Sequence, residues 1–388
     1  MKILIDKRCF SSGKYLLIDN DSYLLENSNN VDHDLFFSLD SECSLNKYIE
    51  LHGKEPINFI EKKYLRMMNS LNSRHPSWKY ILPKEKYNKL VRKFQEDLKS
   101  SKDFFCKNRY STHYSEGNEI LKKLQRIQPD LEILNDLVSK ETNPTLKGIY
   151  NSFLPEKDGF CKKVSYDRLK TVTGRLIVDS GPQVLLLPKK AKNILKSSYG
   201  KDGKIVWVDY VSLEPRFTKL LSSEEVPTDI YNDILESYSL NLSRKEVKLC
   251  VLAVLFGAGI SKITEIAGKE AVLIKKAISD YFAFKDILRK AGDYSSGKIT
   301  NHFGRPIKMK KTASNVAVNN FVQSSCVDVS LKGFSKLKLP KSSKPLAVIH
   351  DALVLDILKE DLQNLNSIIK KGLFIDTVGH FHLGVENL

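Results

Sequence analysis

Ile205-Val206-Trp207-Val208-Asp209 is an apolar run that stops on a carboxylate, and it continues as Tyr210-Val211-Ser212-Leu213-Glu214-Pro215-Arg216. The segment Leu346-Ala347-Val348-Ile349-His350-Asp351-Ala352-Leu353-Val354-Leu355 has the same design. Short, β-branched-rich apolar runs ending on an acid read as buried strands that deliver the acid to an open edge. Taken singly, an aspartate at a strand end is more often a turn or a helix cap. Two such strands side by side can instead hold a pair of hard divalent cations, which take oxygen ligands and suit phosphoryl chemistry.

Between the two runs, Ser243-Arg244-Lys245-Glu246-Val247-Lys248 opens an apolar stretch that ends at Phe256-Gly257. At helical spacing Arg244, Lys248, Leu252 and Phe256 fall on one face. That face presents two cations, an aliphatic side chain and an aromatic ring in line. Cations can neutralise a triphosphate, and a ring can stack on a base. By itself the pattern also describes an ordinary amphipathic helix with a solvated basic end.

Composition narrows the partners. Among 388 residues, 62 Lys and Arg stand against 46 Asp and Glu, a formal charge of +16, which fits a phosphate-rich partner. A ribosomal protein, or any soluble basic protein, would also fit. Cys9, Cys43, Cys106, Cys161, Cys250 and Cys326 lie far apart without a C-x-x-C pair, so neither a zinc site nor a disulfide framework is indicated. The opening MKILIDKRCF is too short in apolar residues for a secretory segment, and Leu249 to Ile260 is too short to span a membrane. A soluble, cytoplasmic monomer without a membrane partner is expected, including the cytoplasm of a virus-infected cell.

Pattern shifts divide the chain. Residues 1–55 alternate short apolar runs (Ile3 to Ile5, Tyr15 to Ile18, Leu35 to Leu39) with polar turns, which predicts a small β-rich module. Residues 56–164 are Lys- and Glu-rich with helical spacing through Leu121, Leu124, Ile127, Leu131, Leu134 and Leu137, and breaks near Pro144 and Pro155.

Six ordered segments carry a resemblance over residues 165–388. They are Thr171-Val172-Thr173-Gly174-Arg175-Leu176, Asp209 to Arg216, Arg244 to Gly257, Thr300 to Arg305, Asn319-Asn320-Phe321-Val322-Gln323, and His350-Asp351. Together they resemble the polymerase core of family A, the bacterial DNA polymerase I group. That family's segments read T-x-TGRL, DYS-x-IELR, R-x3-K-x7-YG, T-x-x-GR, N-x-x-x-Q and HDE.

The resemblance implies an α+β right-hand fold. The palm would be an antiparallel sheet from 165–225 and 300–388, the fingers 226–299, and the helical 56–164 a thumb that grips the duplex. Only about 142 residues separate Asp209 from Asp351, so the fingers should be short. The implied activity is template-directed DNA synthesis from dNTPs on a primer-template, in phage replication or in repair. Two Mg²⁺ ions, replaceable by Mn²⁺, would bridge Asp209 and Asp351 with the main-chain carbonyl of Tyr210. Glu214 would exclude a ribose 2′-hydroxyl, although it could simply pair with Arg216. Arg244 and Lys248 would meet phosphates, Leu252 the sugar and Phe256 the base. Arg175, Gln323 and His350 would touch the primer terminus and minor groove, and Arg305 the DNA backbone. Lys189, Lys190, Lys192, Lys196, Lys308, Lys310 and Lys311 could line a phosphate path or form a solvent coat.

Departures are local. Phe256 replaces Tyr, and Leu252 stands where the family has Phe or Tyr. Leu185 and Leu186 occupy Gln and Asn positions, and Ala352 replaces the acid that follows Asp351. Asp328 and Asp356 read as structural or surface acids. Asp40-Ser41-Glu42 superficially matches a proofreading-exonuclease metal pair, but too few residues precede the thumb for that domain, so no exonuclease is expected. An RNA-synthesising or RNA-copying relative, or a catalytically silent DNA-binding relative, remains open. Glu214 argues against the first, and retention of both aspartates against the second.

Overall fold

The apolar runs near the start become a four-stranded sheet in the order Ser22–Glu26, Tyr15–Asp19, Lys2–Ile5 and Leu35–Phe37. Its pairs are antiparallel except for Lys2–Ile5 with Leu35–Phe37. The computed structural model describes residues 1–10, 12–19, 22–39, 43–60, 64 and 78–387. Asp40, Ser41 and Glu42 lie outside the described residues.

Contacts divide the chain into two compact units, residues 1–118 and 119–388. The N-terminal sheet and the Lys84–Lys107 helix share the first unit. The physical reason is aromatic. Phe37 of the sheet lies 4.9 Å from Phe94 of the Lys84–Lys107 helix, and Tyr48 lies 5.4 Å from Phe105 of the same helix. Burying these rings ties the module to the Lys84–Lys107 helix.

The second unit has its own core, and its helical spacing is interrupted once more than expected. The Arg109–Lys123 helix ends before Leu124, and Gln128–Pro129 pairs with Leu195–Lys196 as a short strand. Pro129 cannot continue a helix, and the Asp130 carboxylate accepts the Glu132 and Ile133 amides to start a new one at Leu131–Lys140. Pro144 opens the Pro144–Asn151 helix behind an Asn143 cap.

An antiparallel sheet is the centre of this unit, in the order Lys344–Ile349, Ala352–Leu358, Gly203–Tyr210 and Leu383–Asn387. The near-continuous burial of its two middle strands explains why they read as apolar runs without alternation. The 23-residue Ser314–Lys336 helix packs close to this sheet: a Cβ on Gly333 would stand 1.9 Å from the Tyr210 hydroxyl, so only glycine fits there. Between sheet strands, five α-helices from Ile230–Ser237 to Phe284–Ala291 form a set whose core includes Ile234, Val247, Val251, Ile274 and Phe282. The protein is thus a mixed α+β chain. Among the described residues no helix is long and apolar enough to cross a membrane.

Candidate active site

Strand register brings the two aspartates together. Asp209 is paired with Ala352, and Ala352 is paired with Ile349, which leaves His350 and Asp351 as a two-residue hairpin connection. His350 takes a φ of 57°, a conformation this turn needs and non-glycine residues seldom adopt. The Asp351 carbonyl accepts the Tyr210 amide at 3.4 Å. Both carboxylates therefore emerge at the same end of adjacent strands. Tyr210, one residue on, turns its side chain to the opposite face, where its ring packs 5.2 Å from Phe334 and its hydroxyl donates to the Val329 carbonyl.

A cavity of about 550 Å³ opens at this edge. Its lining includes Asp209, Tyr210, Glu214, Asp351, Arg175, Lys248, Leu252, Gln323 and His350. Nine of the twelve residues singled out in the sequence thus share one cavity.

The cavity concentrates negative charge. Desolvation, then the charge of Asp351, pushes the Asp209 carboxyl up to about 7. Asp209 is nevertheless exposed on its solvent side, so the neighbouring charge is the cause that an open cavity leaves in force. Desolvation raises Asp351, and desolvation followed by the Asp351 charge raises Glu214. Arg175 opposes these shifts, with Nη2 at 4.0 Å from Glu214 Oε1. A cation between the aspartates would favour the ionised form of both.

Donor chemistry fits Mg²⁺. Among the described residues no group of three or more His, Cys, Asp or Glu side chains converges on one point. Mg²⁺ is ordinarily held by one or two carboxylates and completed by water and substrate phosphates, so two aspartates with a main-chain oxygen suffice.

The Arg244–Leu255 helix begins with a reciprocal cap, in which the Ser243 hydroxyl accepts the Glu246 amide and Glu246 reaches back to Ser243. Val247, Cys250, Val251, Val254 and Leu255 are buried, leaving Lys248 and Leu252 toward the cavity. The two ends of that face lie outside the lining. Arg244 Nε pairs with Asp229 Oδ2 at 2.6 Å, while the exposed Phe256 ring has the Arg175 guanidinium 5.8 Å above it.

One sequence expectation changes, and the surroundings of several other residues are defined. Arg305 is 1% exposed and donates to the carbonyls of Arg168 and Thr171, so its guanidinium is not at the surface to meet a DNA backbone. Its burial comes from the hairpin of Lys298–Thr300 and Pro306–Lys308 folding back under the turn at Gly174. Lys192 is held by Glu386 at 2.8 Å and lies 3.8 Å over the Trp207 ring, and Lys196 lies 3.4 Å from Asp130. Leu185 faces the cavity, whereas Leu186 is exposed. Asp328 and Asp356 are buried acids satisfied by Arg168 and Asn301 and by Ser197 and Ser198, respectively.

Tyr231 is the residue that sequence reasoning missed. It lines the cavity from the Ile230–Ser237 helix, its hydroxyl donates to Ser212 Oγ at 3.1 Å, and its ring lies 5.3 Å from Arg244 and 5.9 Å from Lys248. No local pattern marks it, since it enters the site by packing of one helix on another.

No family model matches the chain, and no curated protein matches it. Among solved structures, the chain is similar to the POL domain of Pol1 from M. smegmatis in complex with DNA primer-template and dNTP. Identity is 17%, coverage 66% of this chain and 55% of that one, and the TM-score 0.47. The chain thus spans little more than half of that domain.

Proposed function

We propose that the chain is a DNA-directed DNA polymerase that extends a primer 3′-hydroxyl with dNTPs. The observation that carries this reading is the register of Asp209 with Ala352, which sets Asp209 and Asp351 side by side in the cavity that also receives Lys248 and Leu252. In this reading residues 165–225 and 300–388 are the palm, residues 226–299 the fingers, and the helical region within 56–164 a thumb.

Asp209 and Asp351, with the Tyr210 main-chain carbonyl, would hold two Mg²⁺ ions, with Mn²⁺ as a substitute. When bound, such ions lower the pKa of the attacking hydroxyl and stabilise the departing pyrophosphate. The chain's own groups do the rest. Lys248 meets the triphosphate with a charge-assisted contact inside the cavity. Leu252 lies along the sugar, and Glu214, held near Arg175, fills the space beside the 2′ position. Arg244 adds positive charge at the mouth of the site, and Phe256 stacks near the templating base. Gln323 and His350 meet the primer-template.

Primer extension on a DNA template with Mg²⁺ and dNTPs tests the reading, with Asp209→Ala as control. Extension by the parent chain and none by the control supports it; no extension by the parent, or equal extension by both, overturns it.

A further inference from the structure

The turn that presents Arg175 to the cavity rests on a buried polar assembly beneath it. Gly174 N–H donates to the Thr171 carbonyl at 3.2 Å, and the Thr171 hydroxyl donates to the Arg175 carbonyl at 2.9 Å. Gly174 sits at a φ of +78°. Arg305 lies directly below, with Nη2 donating to the carbonyls of Arg168 and Thr171, each at 3.2 Å. A Cβ on Gly174 would lie 3.0 Å from Arg305 Cζ, 3.1 Å from Nε and 3.2 Å from Nη1. Such near-equal distances mean that the turn stands over the face of the guanidinium plane.

A second layer locks the first. Arg168 Nη2 donates to Asp328 Oδ1 at 2.8 Å, with both side chains nearly inaccessible. The other Asp328 oxygen accepts Asn301 Nδ2 at 2.6 Å, and Asn301 Oδ1 accepts the Phe303 and Arg305 amides at 3.0 and 2.8 Å. Asp328 is on the same helix as the cavity-lining Gln323. The network therefore joins three parts of the site: the Arg175 turn, the hairpin carrying Arg305 and the Gln323 helix. Buried polar networks of this kind hold their members in one arrangement because any broken bond leaves a dehydrated charge.

We propose that Arg305 is a positioning residue: it supports the Thr171 to Arg175 turn and thereby sets the Arg175 guanidinium beside Glu214 and above Phe256. The inference rests on the polymerase reading only for the use made of Arg175. Lysine would not substitute, since a point charge does not offer the planar face that lies under Gly174.

Two measurements on the full chain test it. In hydrogen exchange, Arg305→Lys should speed exchange in a peptide covering residues 169–177 by roughly tenfold or more while strand 203–210 is unchanged, as for loss of a local support. Gly174→Ala, which alters the same contact from the side of the turn, should do likewise if Arg305→Lys does not fold. Unchanged exchange in that peptide, or equal acceleration everywhere, overturns the proposal. In primer extension, Arg305→Lys should lower kcat/KM by roughly tenfold in the parent and by less than about twofold in an Arg175→Ala background, the signature of coupled residues. Equal losses in both backgrounds overturn action through Arg175. Failure of the parent to extend primers would instead defeat the polymerase reading and leave the exchange result standing.

Discussion

Asp209 faces Ala352 across an antiparallel ladder, and the carbonyl of Asp351, the residue before Ala352, accepts the amide of Tyr210. The separation of the two carboxylates is therefore set by main-chain pairing in the sheet and by the two-residue turn that closes it. A pair of carboxylates held this way keeps its geometry when neighbouring side chains change, because strand register cannot slip by one residue without turning the core outward.

Asp209→Asn or Asp351→Asn should abolish primer extension and leave primer-template affinity nearly unchanged. In the proposed function the carboxylates would hold metal, whereas affinity would come from phosphate contacts by the basic surface. Extension assays beside equilibrium binding check this, and retained synthesis in either variant refutes the metal assignment.

Without divalent metal, Asp209 should make stability depend on pH in an unusual direction. Its folded value near 7 lies above the ordinary 3.8, so between those limits the folded state binds more protons than the unfolded one. Stability is then present at low pH and lost as pH rises toward 7. In EDTA at pH 8, Asp209→Asn should raise Tm, by the equivalent of about 1 kcal/mol once solvent screening is allowed for. A Tm that falls on this substitution would contradict the charge crowding.

Glu214→Ala should admit ribonucleotides, because in the proposed function it would open the space beside the 2′ position while leaving both aspartates in place. The measurement is the ratio of NTP to dNTP incorporation, which should rise. A parent chain that already prefers NTPs would favour the RNA-synthesising alternative.

Lys248→Ala should lower kcat/KM for dNTP far more than DNA affinity. A charge-assisted contact of about 1.5 to 3 kcal/mol corresponds to roughly tenfold to a hundred-and-fifty-fold. Steady-state kinetics at varied dNTP decide it, and unaltered efficiency would make Lys248 part of a solvated helix face.

Leu252→Tyr should change the preference between deoxy- and dideoxynucleotides while sparing both DNA affinity and Tm, since Leu252 is only half-buried and borders the cavity. Were it packed inside the helical core, the added bulk would cost about 1 to 3 kcal/mol of stability instead. Dideoxynucleotide selectivity measured beside Tm separates the two, and a lower Tm with unaltered selectivity would remove Leu252 from the nucleotide site.

Much of this protein was legible in local pattern. The two apolar runs ending at Asp209 and before Asp351 are strands because burial on both faces selects uninterrupted apolar residues. The Arg244–Leu255 helix shows its capped start and polar stripe in residue spacing alone. Such features depend on neighbours a few positions away, which is the range over which sequence speaks. Tertiary structure decided the rest. Arg305 and Arg175 have the same side chain, yet one is buried against carbonyls while the other is half-exposed at the cavity. Tyr231 joins the cavity only because one helix packs on the next, and residues 1–118 form one unit only because Phe37 and Tyr48 meet rings far along the chain. Burial and partner choice are properties of contacts between distant segments, and no period within a single segment encodes them.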